Sequence, residues 1–344
     1  MASSLAVSIA GLHAEWSDRR LAEHLTGAVL PLFAKQHALP AWAAPVAIQI
    51  RKSSAVFKCV FGSKAFAIKI LGPHRFDRYR TISEFNKLLD LRLKDPAQKS
   101  MAVPRPVSVI PDMAVIATEW VDGPTLEFFI KSAGQERRLA AFGAALRWLR
   151  KFHAIAEPQA RKFRPRSVLK HFDVARARHR QHVPFADNRF QIAAEELQRL
   201  AQEFEGTSVP WPLLHYDANC RNFIFDGKRV FGFDFRNDVR GDPLQDYARL
   251  LVEADLQVPA AERVKSDWLI DKSLLSCMVK NLDKAEAGHL MPRLRIHLLS
   301  RGLLKYFGLI KLPPSEDKAE LVERLLSVLE AVATREATLS PAAA

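Results

Sequence analysis

The chain has 344 residues, 48% of them apolar, enough to bury two cores, and its 51 Lys and Arg against 38 Asp and Glu give a formal net charge of +13. No apolar run reaches the ~20 residues needed to cross a bilayer. The opening MASSLAVSIAGLHAEW carries no basic residue ahead of its apolar stretch, which argues against a secretory signal. Cys59, Cys220 and Cys277 are odd in number, widely spaced and match no zinc or redox spacing, so a reducing, cytoplasmic setting is expected.

Residues 14–38 carry helical periodicity, with Leu21, Leu25, Val29 and Phe33 on one stripe, and Pro40 ends it. From Val46 to Leu71 the runs VAIQIR, AVFKCVF and AFAIKIL read as three strands, the last two joined as a hairpin through Gly62, Ser63 and Lys64. Lys69 sits near the end of the third strand between Ile68 and Ile70, and Glu84 follows on a predicted helix. The first two strands are joined by Arg51, Lys52, Ser53 and Ser54, with no glycine. A further hairpin turns at Pro111 and Asp112 and runs out into Glu119, Trp120, Val121, Asp122 and Gly123. Beyond Gly123 the pattern is mainly helical. AAFGAALRWLRKFHAI puts Leu146, Leu149 and Phe152 on one inner face, with His153 read as a core residue. Between Arg161 and Arg180 only Asp173 interrupts a strongly basic stretch, which reads either as a solvated helix face or as part of a pocket for an anionic ligand. It lacks the interleaved aromatics of a single-strand platform, which disfavours nucleic acid.

The stretch LLHYDANCRNFIFDGKRVFGFDF, Leu213 to Phe235, carries the chemistry. Asp217 lies two residues after His215, Asn222 five after Asp217, and Asp234 twelve after Asn222. Between them, Phe223 to Phe225 and Arg229 to Phe233 read as two short strands around Asp226 and Gly227, a two-residue connection suited to a type I′ turn. The hairpin would bring Asp234 back toward Asn222. Phosphoryl transfer to a hydroxyl asks for these residue types, because it consists largely of positioning and of neutralising negative charge with Mg²⁺, a cation that prefers oxygen ligands. Asp217 is the candidate to orient the acceptor hydroxyl and take its proton, Asn222 and Asp234 are candidate metal ligands, and His215 is expected to brace the loop. The same residues can also occur as turn caps.

His215 to Asn222, the GFDF that ends at Phe235, and the following GDPLQDYA (Gly241 to Ala248) resemble the aminoglycoside phosphotransferase and choline kinase superfamily of small-molecule kinases. The resemblance covers roughly residues 45 to 255. It implies an α+β, bilobal protein-kinase-like fold with a small antiparallel β N-lobe and a larger, mainly helical C-lobe. It also implies ATP and Mg²⁺. Lys69 in AIKI resembles the strand lysine that contacts the nucleotide phosphates, and Glu84 its helical ion-pair partner. Glu119 and Val121 fall at the hinge, where backbone groups pair with adenine, and Ser53 and Ser54 stand where phosphate-loop glycines are common. Asp246 is expected to be structural, bracing the catalytic loop from beneath.

These readings divide the chain into an N-terminal helical extension (1–44), an N-lobe (45–118), a hinge (119–123), a helical C-lobe (124–335) and a frayed tail (336–344). The expected activity is transfer of the γ-phosphoryl group of ATP to a hydroxyl of a small molecule. A charge of +13 repels polycationic aminoglycosides and favours an anionic or neutral acceptor, such as a sugar or glycolipid headgroup. A noncatalytic, nucleotide-binding kinase-like module is the alternative suggested by the glycine-free loop. A protein kinase is disfavoured because no activation segment follows Asp234.

Overall fold

Side-chain alternation builds the first sheet. In β2 (Ser54–Phe61) and β3 (Lys64–Leu71) buried and half-buried positions alternate, so Ala55, Phe57, Cys59 and Phe61 join Phe66, Ile68 and Ile70 in one apolar layer. The computed structural model describes residues 18–51, 54–72, 78–95, 101–157, 159–179, 187–234, 239–282 and 290–335. It sets these strands with β1 (Val46–Arg51), β4 (Pro106–Ile110) and β5 (Val115–Glu119) in the order β1-β2-β3-β5-β4, antiparallel at every pairing.

The N-terminal stripe covers that layer. Leu21, Leu25, Val29 and Phe33 are fully buried in one cluster with the inward strand residues, and the Phe33 ring lies 5.7 Å from Phe61 and 5.2 Å from Phe66. A strict four-residue spacing drifts by about 40° per step on an α-helix of 3.6 residues per turn. The helix resolves this by changing pitch. It runs as α1 (Asp18–His24), a π-helical turn (Leu25–Val29) and α2 (Leu30–Gln36), and the wider middle turn keeps all four side chains on the sheet.

The described residues up to Asp122, together with Phe231–Phe233, form one compact unit; those from Gly123 to Val230 and from Asp234 onward form a second. The first also contains α3 (Arg78–Lys94), which packs on β4 and β5.

In the second unit the helices are α4 (Leu126–Ser132), α5 (Gln135–His153), α6 (Pro165–His179), α7 (Asn188–Glu203), α8 (Leu244–Asp255), α9 (Lys272–Asn281), α10 (Leu290–Ile310) and α11 (Glu316–Thr334). α10 is apolar nearly all round and therefore central. It packs against α6, α7, α8 and α11, with Phe190 meeting Tyr306 at 5.3 Å and Phe307 at 5.7 Å. A short pair, β6 (Gln159–Lys162) with β7 (Ser208–Trp211), completes this unit; β8 (Phe223–Phe225) also lies in it, and the next strand in the chain, β9 (Val230–Gly232), has Phe231 and Gly232 in the first unit.

The turn between β8 and β9 differs from the expected one. The Asp226 N–H donates to the Arg229 carbonyl, so the tip is Gly227 and Lys228 rather than Asp226 and Gly227. Only Gly227 has positive φ, +90°, whereas a type I′ turn needs it at both central residues. The competing interaction is the Asp226 carboxylate, which accepts from the Lys228 and Arg229 amides at 2.9 and 2.7 Å.

Gly123 opens the second unit under tight constraint. Its φ is +149°, and a Cβ there would stand 1.8 Å from the Phe225 carbonyl oxygen. Gly123→Ala is therefore expected to destabilise the protein by on the order of 3 kcal/mol, through a backbone clash added to φ strain. Urea unfolding checks this; an unchanged midpoint would mean that the 123–125 segment moves freely away from β8.

Candidate active site

Asp246 organises the loop that carries Asp217. GDPLQDYA starts α8 at Leu244, and the Asp242 carboxylate accepts from the Leu244 N–H at 3.0 Å, which secures the helix start. Asp242 is itself buried and held bidentate by Arg293 of α10 at 2.7 and 3.0 Å, with His297 Nε2 at 3.1 Å. Burial alone would push its carboxyl up, but His297 and Arg293 hold it well below the usual carboxylate range. In the first turn of α8, buried Asp246 accepts from the His215 and Tyr216 amides, both at 2.8 Å, and lies 2.9 Å from His153 Nε2 of α5. Here too burial pushes upward, and the hydrogen bond and charge of His153, followed by His215, bring the carboxyl below its ordinary value.

This bracing holds an unfavourable backbone. Tyr216 has φ +65° and Asp234 φ +62°, left-handed values that are rare for residues with a Cβ and that collect at functional sites. Two of the contacts that fix Tyr216 are its N–H to Asp246 and its carbonyl, which accepts from Arg249 Nη1 at 3.2 Å. His215 is fully buried, with its ring 5.9, 6.1 and 5.7 Å from those of Trp148, Phe152 and Phe223. Burial lowers its pKa, so the imidazole is a neutral brace inside an aromatic box.

Asp217 is half-buried and forms an ion pair with Arg249 Nη2. Asn222, on the 3₁₀ turn Cys220–Asn222, donates through Nδ2 to the Asp217 carbonyl at 2.8 Å. That bond commits the amide nitrogen and leaves Oδ1 as the atom able to face a cation. Asp234 follows the exit of β9, half-buried and close enough to His215 to act on it electrostatically. Among the described residues no group of three or more His, Cys, Asp or Glu side chains could hold a metal ion. A magnesium bound here would draw on the Asn222 oxygen, the Asp234 carboxylate and non-protein oxygens such as phosphates. That sparse oxygen set suits Mg²⁺, which seldom occupies all-protein cages.

The nucleotide candidates lie in the other unit. Lys69 points from β3 on the face opposite Ile68 and Ile70, and its Nζ meets Glu84 Oε1 of α3 at 2.5 Å. Its strand partners Val56 and Ile116 supply an apolar surround. Glu119 ends β5, its carboxylate tied to Arg105 at 3.1 and 3.2 Å, and its N–H donates to the Arg105 carbonyl. The Val121 N–H, although the residue is buried, donates to no protein carbonyl among the described residues, which suits a backbone donor for an adenine edge. Ser54 starts β2 opposite Arg51 and Leu71, whereas Ser53 lies outside the described residues.

The model of the phosphotransferase enzyme family matches residues 68–274. The chain belongs to this family. The phosphotransferase has the α+β, kinase-like fold expected above, and solved structures share it. A thermostable mutant of aminoglycoside phosphotransferase APH(4)-Ia, in ternary complex with AMP-PNP and hygromycin B, superposes with TM-score 0.56 at 15% identity, covering 88% of this chain and 98% of that one. A choline/ethanolamine kinase family protein from Mesorhizobium loti gives 0.54 at 18% identity over 85% and 89% of the two chains. ADP-bound APH(2'')-Ib gives 0.52 at 17% identity over 88% and 98%. At these identities the likeness is one of fold. Comparison with curated proteins gives no match. Among the described residues no helix is long and apolar enough to cross a membrane.

Two arginines that touch the loop carrying Asp217 were not read from the sequence of this phosphotransferase. Arg249 lies three positions after Asp246, on the same face of α8, and that spacing was the available signal. Arg301 lies on α10 with its guanidinium 5.6 Å from the centre of the Tyr216 ring, and nothing local marks it. Conversely, Arg161, Lys162, Arg164, Arg166, Lys170 and Arg178 are exposed, in keeping with the solvated-face reading, whereas Arg176 is half-buried; Arg180 and the Arg236–Asp238 segment lie outside the described residues.

Proposed function

We propose that this phosphotransferase transfers the γ-phosphoryl group of ATP, with magnesium, to a hydroxyl of a small anionic or neutral molecule such as a sugar or glycolipid headgroup. The observation that carries this reading is Asp217 and Asn222 joined on one loop braced by Asp246. Lys69, held by Glu84, serves as a positive partner for the α and β phosphates, and the Val121 N–H with the Glu119 carbonyl meets the adenine edge. Asp217 orients the acceptor hydroxyl. As the acceptor oxygen bonds to the γ-phosphorus, its O–H proton passes to the Asp217 carboxylate, the bond to the bridging oxygen breaks, and ADP leaves. When bound, magnesium supplies charge neutralisation at the phosphate oxygens. Asn222 Oδ1 and the Asp234 carboxylate are the residues that would hold it. The AMP-PNP and hygromycin B found with a relative of the same fold support a nucleotide site paired with a small-molecule site.

The experiment is an ADP-release screen of the full chain with Mg-ATP against pooled sugars, amino alcohols, glycolipid fragments and aminoglycosides. Acceptor-stimulated release from a sugar or glycolipid pool supports the reading; a protein that neither binds Mg-ATP nor releases ADP in any pool overturns it. Asp234→Ala is expected to weaken Mg-ATP binding about tenfold, about 1.4 kcal/mol, while binding of nucleotide in EDTA stays unchanged. Equal affinity in magnesium would remove Asp234 from the ligand role.

A further inference from the structure

Arg301 is a cation that forms no ion pair with a carboxylate among the described residues. Its side chain is half-buried with the guanidinium end enclosed by protein; Nη2 donates to Gln245 Oε1 at 3.1 Å and the plane lies over Tyr216. No Asp or Glu comes within ion-pair distance of it among the described residues. Another cation, Arg249, shares Tyr216 with it: Arg249 donates to the Tyr216 carbonyl and pairs with Asp217, and the Asp246 and Asp217 carboxylates act on Arg301 only from beyond ion-pair distance. Arg249 Nε is buried and makes no hydrogen bond among the described residues. Burial and then the Arg249 charge push the pKa of Arg301 down to about 10, so the guanidinium stays protonated at neutral pH in a setting that disfavours its charge.

Arg301 also lines a small, partly open cleft. Gln245 of α8 and His297, Ser300, Arg301 and Leu304 of α10 form one side, and Val168 and His171 of α6 the other. The His171 ring nitrogen Nε2 lies 3.0 Å from the Tyr216 hydroxyl, which closes the polar rim beside the catalytic loop. An enclosed positive charge thus stands beside Tyr216, next in the chain to the carboxylate assigned to the acceptor hydroxyl. An enclosed guanidinium short of a counter-ion is the feature that recognises planar or tetrahedral oxyanions, through paired N–H donors.

We infer that Arg301, with Arg249 beside it, forms a subsite for an anionic group of the acceptor, a phosphate or a carboxylate, so that the hydroxyl phosphorylated belongs to an acidic small molecule. The inference rests on the phosphotransferase reading for the word acceptor, and on the arginines alone for the anion. The exposed stretch from Arg161 contributes long-range attraction at most, because its charges are solvated.

Two measurements on the full chain separate these grounds. The first is thermal unfolding with inorganic phosphate in the presence of saturating Mg-ADP, for the natural protein, Arg301→Gln and Arg301→Lys. Phosphate is expected to raise Tm of the natural protein, to leave Arg301→Gln unmoved, and to raise Arg301→Lys part of the way. The unliganded Tm of each variant reports its folding. The second is turnover of matched hydroxyl compounds with and without an anionic group: glycerol, glycerol 3-phosphate and glycerate; glucose, glucose 6-phosphate and gluconate. The phosphate or carboxylate member is expected to show kcat/KM at least about tenfold higher. Arg301→Gln should raise KM for that member about tenfold with the KM for ATP unchanged. Phosphate stabilising Arg301→Gln as much as the natural protein, or neutral members preferred, overturns the subsite. Phosphate binding that depends on Arg301, in a protein that turns over nothing, leaves the anion site standing and removes the kinase reading instead.

Discussion

Asp217→Asn is expected to lower kcat by about 10²–10⁴-fold, the span for loss of a positioned general base, with Mg-ATP affinity nearly unchanged. The amide keeps the size of the side chain and one oxygen for the acceptor hydroxyl, but it cannot take the proton. Nucleotide affinity should hold because Lys69, Glu84 and the Val121 amide are untouched and Asn222 bonds the Asp217 backbone carbonyl rather than its carboxylate. Stability should change little. Arg249 loses its carboxylate, yet the pair is 28% and 21% exposed, and screened pairs of this kind contribute about 0–1 kcal/mol. Single-turnover phosphoryl transfer and calorimetric nucleotide binding on the same preparation check both halves. Full turnover would remove Asp217 from the base role. A parallel loss of nucleotide affinity would show that the loop had rearranged.

The parts of this molecule legible in the sequence are those where one local interaction dominates. The alternation in AVFKCVF and AFAIKIL marks an apolar face of a half-buried sheet, and β2 and β3 put Phe57, Cys59, Phe66 and Ile68 on it. The signature GDPLQDYA is legible because its two carboxylates have fixed tasks, Asp242 at the start of α8 and Asp246 under the loop. The turn after Phe225 departs from its sequence pattern because turn propensity treats Asp226 as a backbone conformer, while its carboxylate acts as an acceptor for two amides and moves the tip by one residue. The pitch change at Leu25–Val29 follows from a spacing too wide for an α-helix, which is visible only once the sheet beneath demands all four side chains.

Charge was the least legible property. The stretch from Arg161 draws the eye because its basic residues are contiguous, and contiguity is what a solvated helix face produces. Arg249 and Arg301 stand 52 positions apart on α8 and α10, and only the packing of those helices gives them Tyr216 in common. Burial sets the worth of a charge, and burial is a tertiary property.

Asp246→Asn is expected to cost about 3 kcal/mol of stability or more and most of the activity, though residue 246 touches no reacting atom. The Asp246 carboxylate serves two amide N–H groups and His153 at once, and one oxygen of an asparagine cannot replace two. At least one buried donor is left unsatisfied, at about 1–3 kcal/mol, and a buried charge-assisted bond to His153 is weakened. Tyr216 then has less to hold φ at +65°, and Asp217 beside it loses its aim. The pH dependence distinguishes this from a simple packing defect. The folded pKa of Asp246 lies below its unfolded value, so its contribution is complete above the unfolded carboxylate pKa, about 3.9, and fades as pH falls through the lower folded value. The stability gap between the natural protein and Asp246→Asn, measured by urea unfolding from pH 7 down to the acid limit of folding, should therefore stay wide at neutral pH and narrow below about pH 4. His215 contributes in the same direction in both proteins: burial lowers its pKa, so both lose stability as pH falls below the ordinary histidine range; because the Asp246 charge opposes that lowering, the narrowing is read against the Asp246→Asn protein's own acid slope. A gap that is constant across the whole range would show that the variant acts through volume and not through the carboxylate.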